Sequence, residues 1–134
     1  MYDYTSDGYY FVTIVSRLRQ PLFVDFEELI EQVFHEVAES FVGVKIDTIT
    51  VMSNHVHCII HFEKSNTFLG EVARRAKAKI SYLLKQQCWQ ANYYEHIIRN
   101  EESLGRIREY ILHNPEIEQM RLEYTNRPIF KAKK

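Results

Sequence analysis

Long apolar runs are missing from this 134-residue chain, and that absence excludes the most. No stretch approaches the roughly 20 consecutive apolar residues that a membrane-spanning helix needs. The first eight residues are polar and the apolar run after them is short and rich in β-formers, so no signal peptide is expected. Cysteine is scarce: Cys58 and Cys88 make neither a C-x-x-C pair nor a disulfide framework, which points to a reduced cytoplasmic setting and a fold that needs no covalent staple. Internal repeats, linkers and low-complexity segments are absent as well. What remains, 46% hydrophobic and 26% charged, is the composition of one globular domain with a core of several elements.

Net charge is also lacking, at −1, yet the charges are unevenly placed. Asp25, Glu27, Glu28, Glu31, Glu36 and Glu39 follow one another with no Lys or Arg between them. Arg74, Arg75, Lys77, Lys79 and Lys85 gather against the single Glu71, and Arg121, Arg127, Lys131, Lys133 and Lys134 make the tail basic. Local fields, not the total, decide whether a phosphate backbone is attracted. Two solvated helix faces of opposite sign account for the same pattern equally well.

Hydrophobic periodicity orders the elements. Tyr9 to Val15 is aromatic and β-branched, a strand. Asp25, with Glu28 three residues on, forms a capping box for a helix whose apolar positions are Phe26, Leu29, Ile30, Val33, Phe34, Val37 and Phe41, ended by Gly43. Lys45 to Met52 alternates as a second strand, and His55 to Phe62 follows after Ser53-Asn54 as the other arm of a hairpin. Phe68 to Leu84 has a helical stripe, Trp89 to Arg99 reads as a fourth strand, and Asn100 caps a third helix with the stripe Leu104, Ile107, Ile111, stopped by Pro115. The order β-α-β-β-α-β followed by a helix is that of an α+β, ferredoxin-like antiparallel sheet. The domain core is expected over about 9–115, with 116–134 as a polar tail.

His55 and His57 are two apart in a strand, so both imidazoles face one side and can share a metal ion. Taken alone, His-x-His is more often a coincidence of surface or core. On the third helix Tyr110 and Asn114 are i and i+4. At 100° per residue, Asn114 falls inside the apolar stripe and Tyr110 at its edge. A buried amide left unsatisfied costs about 1–3 kcal/mol, so Asn114 calls for a partner. A metal held by the two histidines is one such partner; a plain helix C-cap before Pro115 is the other. Some tyrosines (Tyr2, Tyr4, Tyr9 and Tyr94) are candidates for stacking on unpaired bases. Cys58 and Trp89 read as core residues, and His35 as a surface or packing residue.

These pieces resemble a known family. Met52-Ser53-Asn54-His55-Val56-His57 is similar to the HUH motif of single-tyrosine transposases. Gln20-Pro21-Leu22-Phe23, Trp89-Gln90, Tyr93-Tyr94-Glu95-His96 and Glu109-Tyr110-Ile111-Leu112-His113-Asn114-Pro115 resemble the REP-associated tyrosine transposases, in the family's order, from about Tyr9 to Pro115. Ser53 departs from the proline more usual there.

The resemblance implies that His55, His57 and Asn114 hold a divalent metal, Mg²⁺ or Mn²⁺, and that Tyr110 is the nucleophile. The implied activity is cutting and rejoining of single-stranded, hairpin-forming DNA through a 5′-phosphotyrosine, close to the nucleoid and with a homodimer as one arrangement. Arg74, Arg75, Lys77, Lys79 and Lys85 then become candidates for holding DNA. Two other readings remain: a domesticated DNA-binding protein that keeps the fold without catalysis, and a zinc site built from His55, His57 and His61.

Overall fold

The computed structural model describes residues 7–113 and 131–133. Five strands form one antiparallel sheet: β1 (Gly8–Ser16), β2 (Val44–Val51), β3 (His55–Phe62), β4 (Trp89–Ile98) and β5 (Lys131–Lys133), in the spatial order β2-β3-β1-β4-β5. The helices are α1 (Glu27–Glu39), α2 (Leu69–Leu84) and α3 (Glu101–Leu112), with a short 3₁₀ turn at Arg17–Arg19. The first four strands have the ferredoxin-like order expected from the sequence. β5, in the tail, pairs with Tyr93–Glu95 of β4 and was not foreseen, since three residues carry no readable alternation.

Strand parity divides the molecule into two unequal layers. Tyr10, Val12 and Ile14 of β1 and Val56, Cys58, Ile60 and Phe62 of β3 face α1 and α2, and with Ile30, Val33, Phe34, Leu69, Val72, Ala76 and Ile80 they form the main core. On the other face α3 covers a smaller cluster of Phe11, Ile59, Ile98, Leu104 and Ile111. Because α3 shields only part of that face, polar side chains can stand on it beside the helix.

The helix ends correct the sequence reading in one place. Asp25 is not the N-cap of α1: its φ is +71°, Phe26 occupies the cap position, and no side chain caps the helix. Phe23 is fully buried, with its ring 4.9 Å from Trp89, and the chain turns at Asp25, a residue type that tolerates left-handed backbone. Asn100, by contrast, caps α3 as expected, its Oδ1 accepting from the Ser103 N–H at 2.8 Å. Gly43 stands at φ +75°, where an added Cβ would collide with the Glu63 carbonyl oxygen. Trp89 and Cys58 are buried core residues, as read; burial pushes the Cys58 thiol up to about 12, which makes it inert.

Candidate active site

The register of β3 settles which residues can meet α3. His55, His57, Ile59 and His61 alternate onto the face opposite the main core, and Thr13 of β1 lies directly across from His57. The two imidazoles stand edge to face with centroids 4.6 Å apart. His57 is buried, at 6% exposure, and His55 half-buried. Each ring is engaged through Nδ1: His57 with Thr13 Oγ1 at 2.9 Å, His55 with Asn54 Oδ1 at 2.7 Å. An Asn Oδ1 only accepts, so His55 donates from Nδ1, and in the neutral ring Nε2 then has the lone pair. A hydroxyl can also accept, and the same tautomer then holds for His57. Neutral imidazoles oriented in this way through Nδ1 are the donors a transition ion prefers.

α3 brings the tyrosine. The Tyr110 ring lies 5.4 Å from His57 at 61° and 6.2 Å from Phe11, half-buried at the edge of the apolar stripe. Fully buried Ile111 roots this end of the helix in the smaller core. Two polar anchors hold it to β2. Thr50, the cross-strand partner of His57, donates its hydroxyl to the Ile111 carbonyl at 2.9 Å. Arg108 makes two bonds to the Asp47 carboxylate, at 2.9 and 2.8 Å. Asp47 occupies a register shift of β2 between Ile46 and Thr48, and such a bulge re-aims a side chain that strict alternation would send elsewhere. The Arg108 guanidinium, aided by the Thr48 hydroxyl, holds the Asp47 carboxyl below its ordinary range.

The structure therefore brings His55, His57 and Tyr110 to one place. Asn114, the remaining expected ligand, lies outside the described residues, as do Tyr2 and Tyr4. The trio His55, His57 and His61 is not assembled: His61 instead stacks on Tyr9 at 4.0 Å, and among the described residues no group of three His, Cys, Asp or Glu side chains could hold a metal ion. The Arg108 guanidinium sits 5.9 Å from the Tyr9 ring, so Tyr9 is a packing element of the α3 anchor. Tyr94 lies across from Thr13 and is half-buried on the same face as the histidines.

The basic cluster of α2 is not brought to this site. α2 packs on the opposite face of the sheet, and four of its five cations have local partners. Arg74 and Arg75 both bond Glu71, holding that carboxyl down at about 2, while Arg75 also covers the Phe41 ring and Lys79 pairs with Glu36 at 3.4 Å. Lys77 is partly buried, donates to the Gln90 carbonyl at 3.3 Å and is lowered by desolvation. Lys85 is the left-handed C-cap of α2, with φ +59°.

Sequence reasoning missed Thr13, Asn54, Thr50, Asp47 and Arg108. Thr13 and Thr50 become visible only when the strand register is known. Asp47 sits where the alternation of β2 slips by one, and a run of eight residues is too short to reveal the slip.

The chain matches the family described as "Transposase IS200 like" over residues 4–114. An uncharacterized protein of Haemophilus influenzae is 30% identical, across 85% of this chain and 83% of its own. A second protein of that organism, with a provisional name as a REP-associated tyrosine transposase, is 22% identical across 84% of this chain and 73% of its own. Among solved structures, a REP-associated tyrosine transposase bound to a REP hairpin superposes with a TM-score of 0.77 at 22% identity, covering 88% of this chain and 72% of that one. At those identities the superposition establishes the shared fold.

Proposed function

Because the chain belongs to the IS200-like transposase family, we propose that it cuts and rejoins single-stranded DNA, with Tyr110 as the nucleophile. The observation that carries this reading is the Tyr110 ring beside His57 on the face that also holds His55. A tyrosine with no role in chemistry would have little reason to be fixed against a buried histidine and its half-buried neighbour by two polar anchors and a buried isoleucine.

A free phenol, with a pKa near 10, is a weak nucleophile at neutral pH, so position and electrostatics must do most of the activation. In this reading the Tyr110 oxygen bonds to phosphorus, the bond from phosphorus to the 3′-oxygen breaks, the phenolic proton passes to solvent and the 3′-oxygen takes up a proton. The products are a 5′-phosphotyrosine and a free 3′-hydroxyl. Bond energy is retained in the phosphotyrosine, so a 3′-hydroxyl can reverse the attack and strand transfer needs no ATP.

The donor set fits a divalent ion in part. His55 and His57 would hold it through Nε2, and Asn114 is the third ligand that the family resemblance implies. Such an ion, Mn²⁺ or Mg²⁺, would supply Lewis-acid polarisation of the phosphoryl oxygens. Asn54 Oδ1 favours the tautomer of His55 that offers Nε2 to a metal, and Thr13 does the same for His57 when its hydroxyl accepts. The REP hairpin on the solved relative supports a hairpin-forming strand as substrate. The α2 cations face away from the tyrosine, so they are assigned to DNA that has left the cleavage site.

The test is incubation of the protein with single-stranded hairpin DNAs and Mn²⁺ or Mg²⁺, resolved on a denaturing gel. A protein–DNA band that survives denaturant and vanishes in Tyr110→Phe is expected. No such band for the unaltered chain, with salt-sensitive binding to the same DNAs, refutes the catalytic reading.

A further inference from the structure

The turn leaving β1 has a conformation and a composition that the core does not explain. Leu18 and Arg19 both have left-handed backbone, with φ +55° and +56°. For non-glycine residues this costs of order 1 kcal/mol each and persists only where the surroundings impose it. Leu18 is 73% exposed, so its apolar side chain is not there for packing. Arg17 and Arg19 are exposed too, and neither makes an ion pair among the described residues, unlike Arg74, Arg75, Arg106 and Arg108.

The turn is nonetheless firmly built, and it is built onto the active site. The Arg17 N–H donates to the Cys88 carbonyl at 2.7 Å, and the Ser16 hydroxyl, fully buried, donates to the Gln20 carbonyl at 2.6 Å. Ser16 and Phe23 donate backbone bonds to Asn54 and Ser53, the two residues before His55. The Asn54 side chain bridges the two regions: its Nδ2 donates to the Arg19 carbonyl at 3.3 Å while its Oδ1 accepts from His55. Two guanidiniums with no ion pair among the described residues, and an exposed leucine, are thus presented one side chain away from the first histidine.

We propose that the Arg17-Leu18-Arg19 turn is a strand-binding lip of the active site. Its two arginines contact phosphates of the single-stranded DNA flanking the scissile bond, and Leu18 lies against an unstacked base. This rests on the DNA-cleaving reading for its substrate. Phosphate recognition asks for cations not already neutralised, which distinguishes this turn from Arg74, Arg75 and Lys79 of α2. An apolar side chain held out beside them suits an unpaired base, which has an apolar face and a charged backbone on either side.

The measurement is equilibrium binding of the full chain, in the Tyr110→Phe background and without metal, to a labelled DNA hairpin with a single-stranded flank, over a series of salt concentrations. Arg17→Gln with Arg19→Gln is expected to lower the slope of log affinity against log salt by about 1.4, about 0.7 for each lost phosphate contact on a single strand. The same hairpin without its flank should show no such change. Leu18→Gly relieves the backbone strain, so a merely structural turn would bind unchanged or better; the lip requires weaker binding to the flanked DNA with no loss of thermal stability. Unchanged slopes in the arginine variant together with unchanged affinity in Leu18→Gly overturn the proposal, even where the unaltered chain forms its covalent band. Loss of slope in a chain that forms no covalent band upholds the lip and refutes the catalysis.

Discussion

The anchor between Arg108 and Asp47 should couple the stability of α3 to the reactivity of Tyr110, which stands two residues further along the helix. Two charge-assisted bonds join the pair, and the side chains are 40% and 17% exposed. Bonds to charged groups contribute about 1.5–3 kcal/mol when shielded, and exposed ion pairs about 0.2–1. For a half-exposed guanidinium on a mostly buried carboxylate, a coupling of about 1–2 kcal/mol follows. For a chain of this size that corresponds to about 4–7 °C in Tm. A double-mutant cycle of Asp47→Asn and Arg108→Gln, read by thermal and urea unfolding, measures it.

The pH dependence of that stability has a definite sign. The folded carboxyl titrates below its ordinary value, so the stabilisation is complete above the unfolded-chain value near 4. It is lost as pH falls from there through the folded value, and the gap between the unaltered chain and Asp47→Asn should close in that window. The rate of covalent adduct formation at pH 7 should fall about tenfold or more in either single variant, because a tyrosine about 1 Å out of place forfeits much of its positional advantage. A coupling below about 0.3 kcal/mol, or a stability gap that persists undiminished below pH 3, would refute the anchor.

Two further outcomes follow from single contacts. Thr13→Val removes the hydroxyl at His57 Nδ1 and should weaken Mn²⁺ binding by about 10–100-fold in a calorimetric titration, whereas Thr13→Ser keeps it; equal affinity in all three proteins would show that the bond does not orient the ring. Gly43→Ala places a methyl against the Glu63 carbonyl at φ +75° and should cost more than about 2 kcal/mol in urea unfolding, while a loss below 0.5 would mean that the turn can relax.

How much was legible beforehand depended on how local the signal was. The hairpin of Lys45–Met52 and His55–Phe62, the cap at Asn100 and the stripe Leu104, Ile107, Ile111 are written in neighbouring residues, and the sheet order followed from their sequence. Parity in the strand put His55 and His57 on one face and the helix angle put Tyr110 at the edge of its stripe, but that the two would meet was implied by the family resemblance. Charge was the signal least able to say where its residues would lie. A count of Lys and Arg along α2 ignores where the acids fall, and Glu71 and Glu36 reach back to hold three of the five. It also ignores which face of the sheet the helix covers, a question decided by the apolar stripe Leu69, Val72, Ala76 and Ile80 and not by the cations. Arg17 and Arg19, only two charges in a turn, drew no notice, because what distinguishes them is a bridge through Asn54 and, among the described residues, the lack of an ion pair, both three-dimensional facts. In a chain of almost zero net charge, the cations most available to a phosphate are those the fold leaves unpaired, and a count along the sequence cannot identify them.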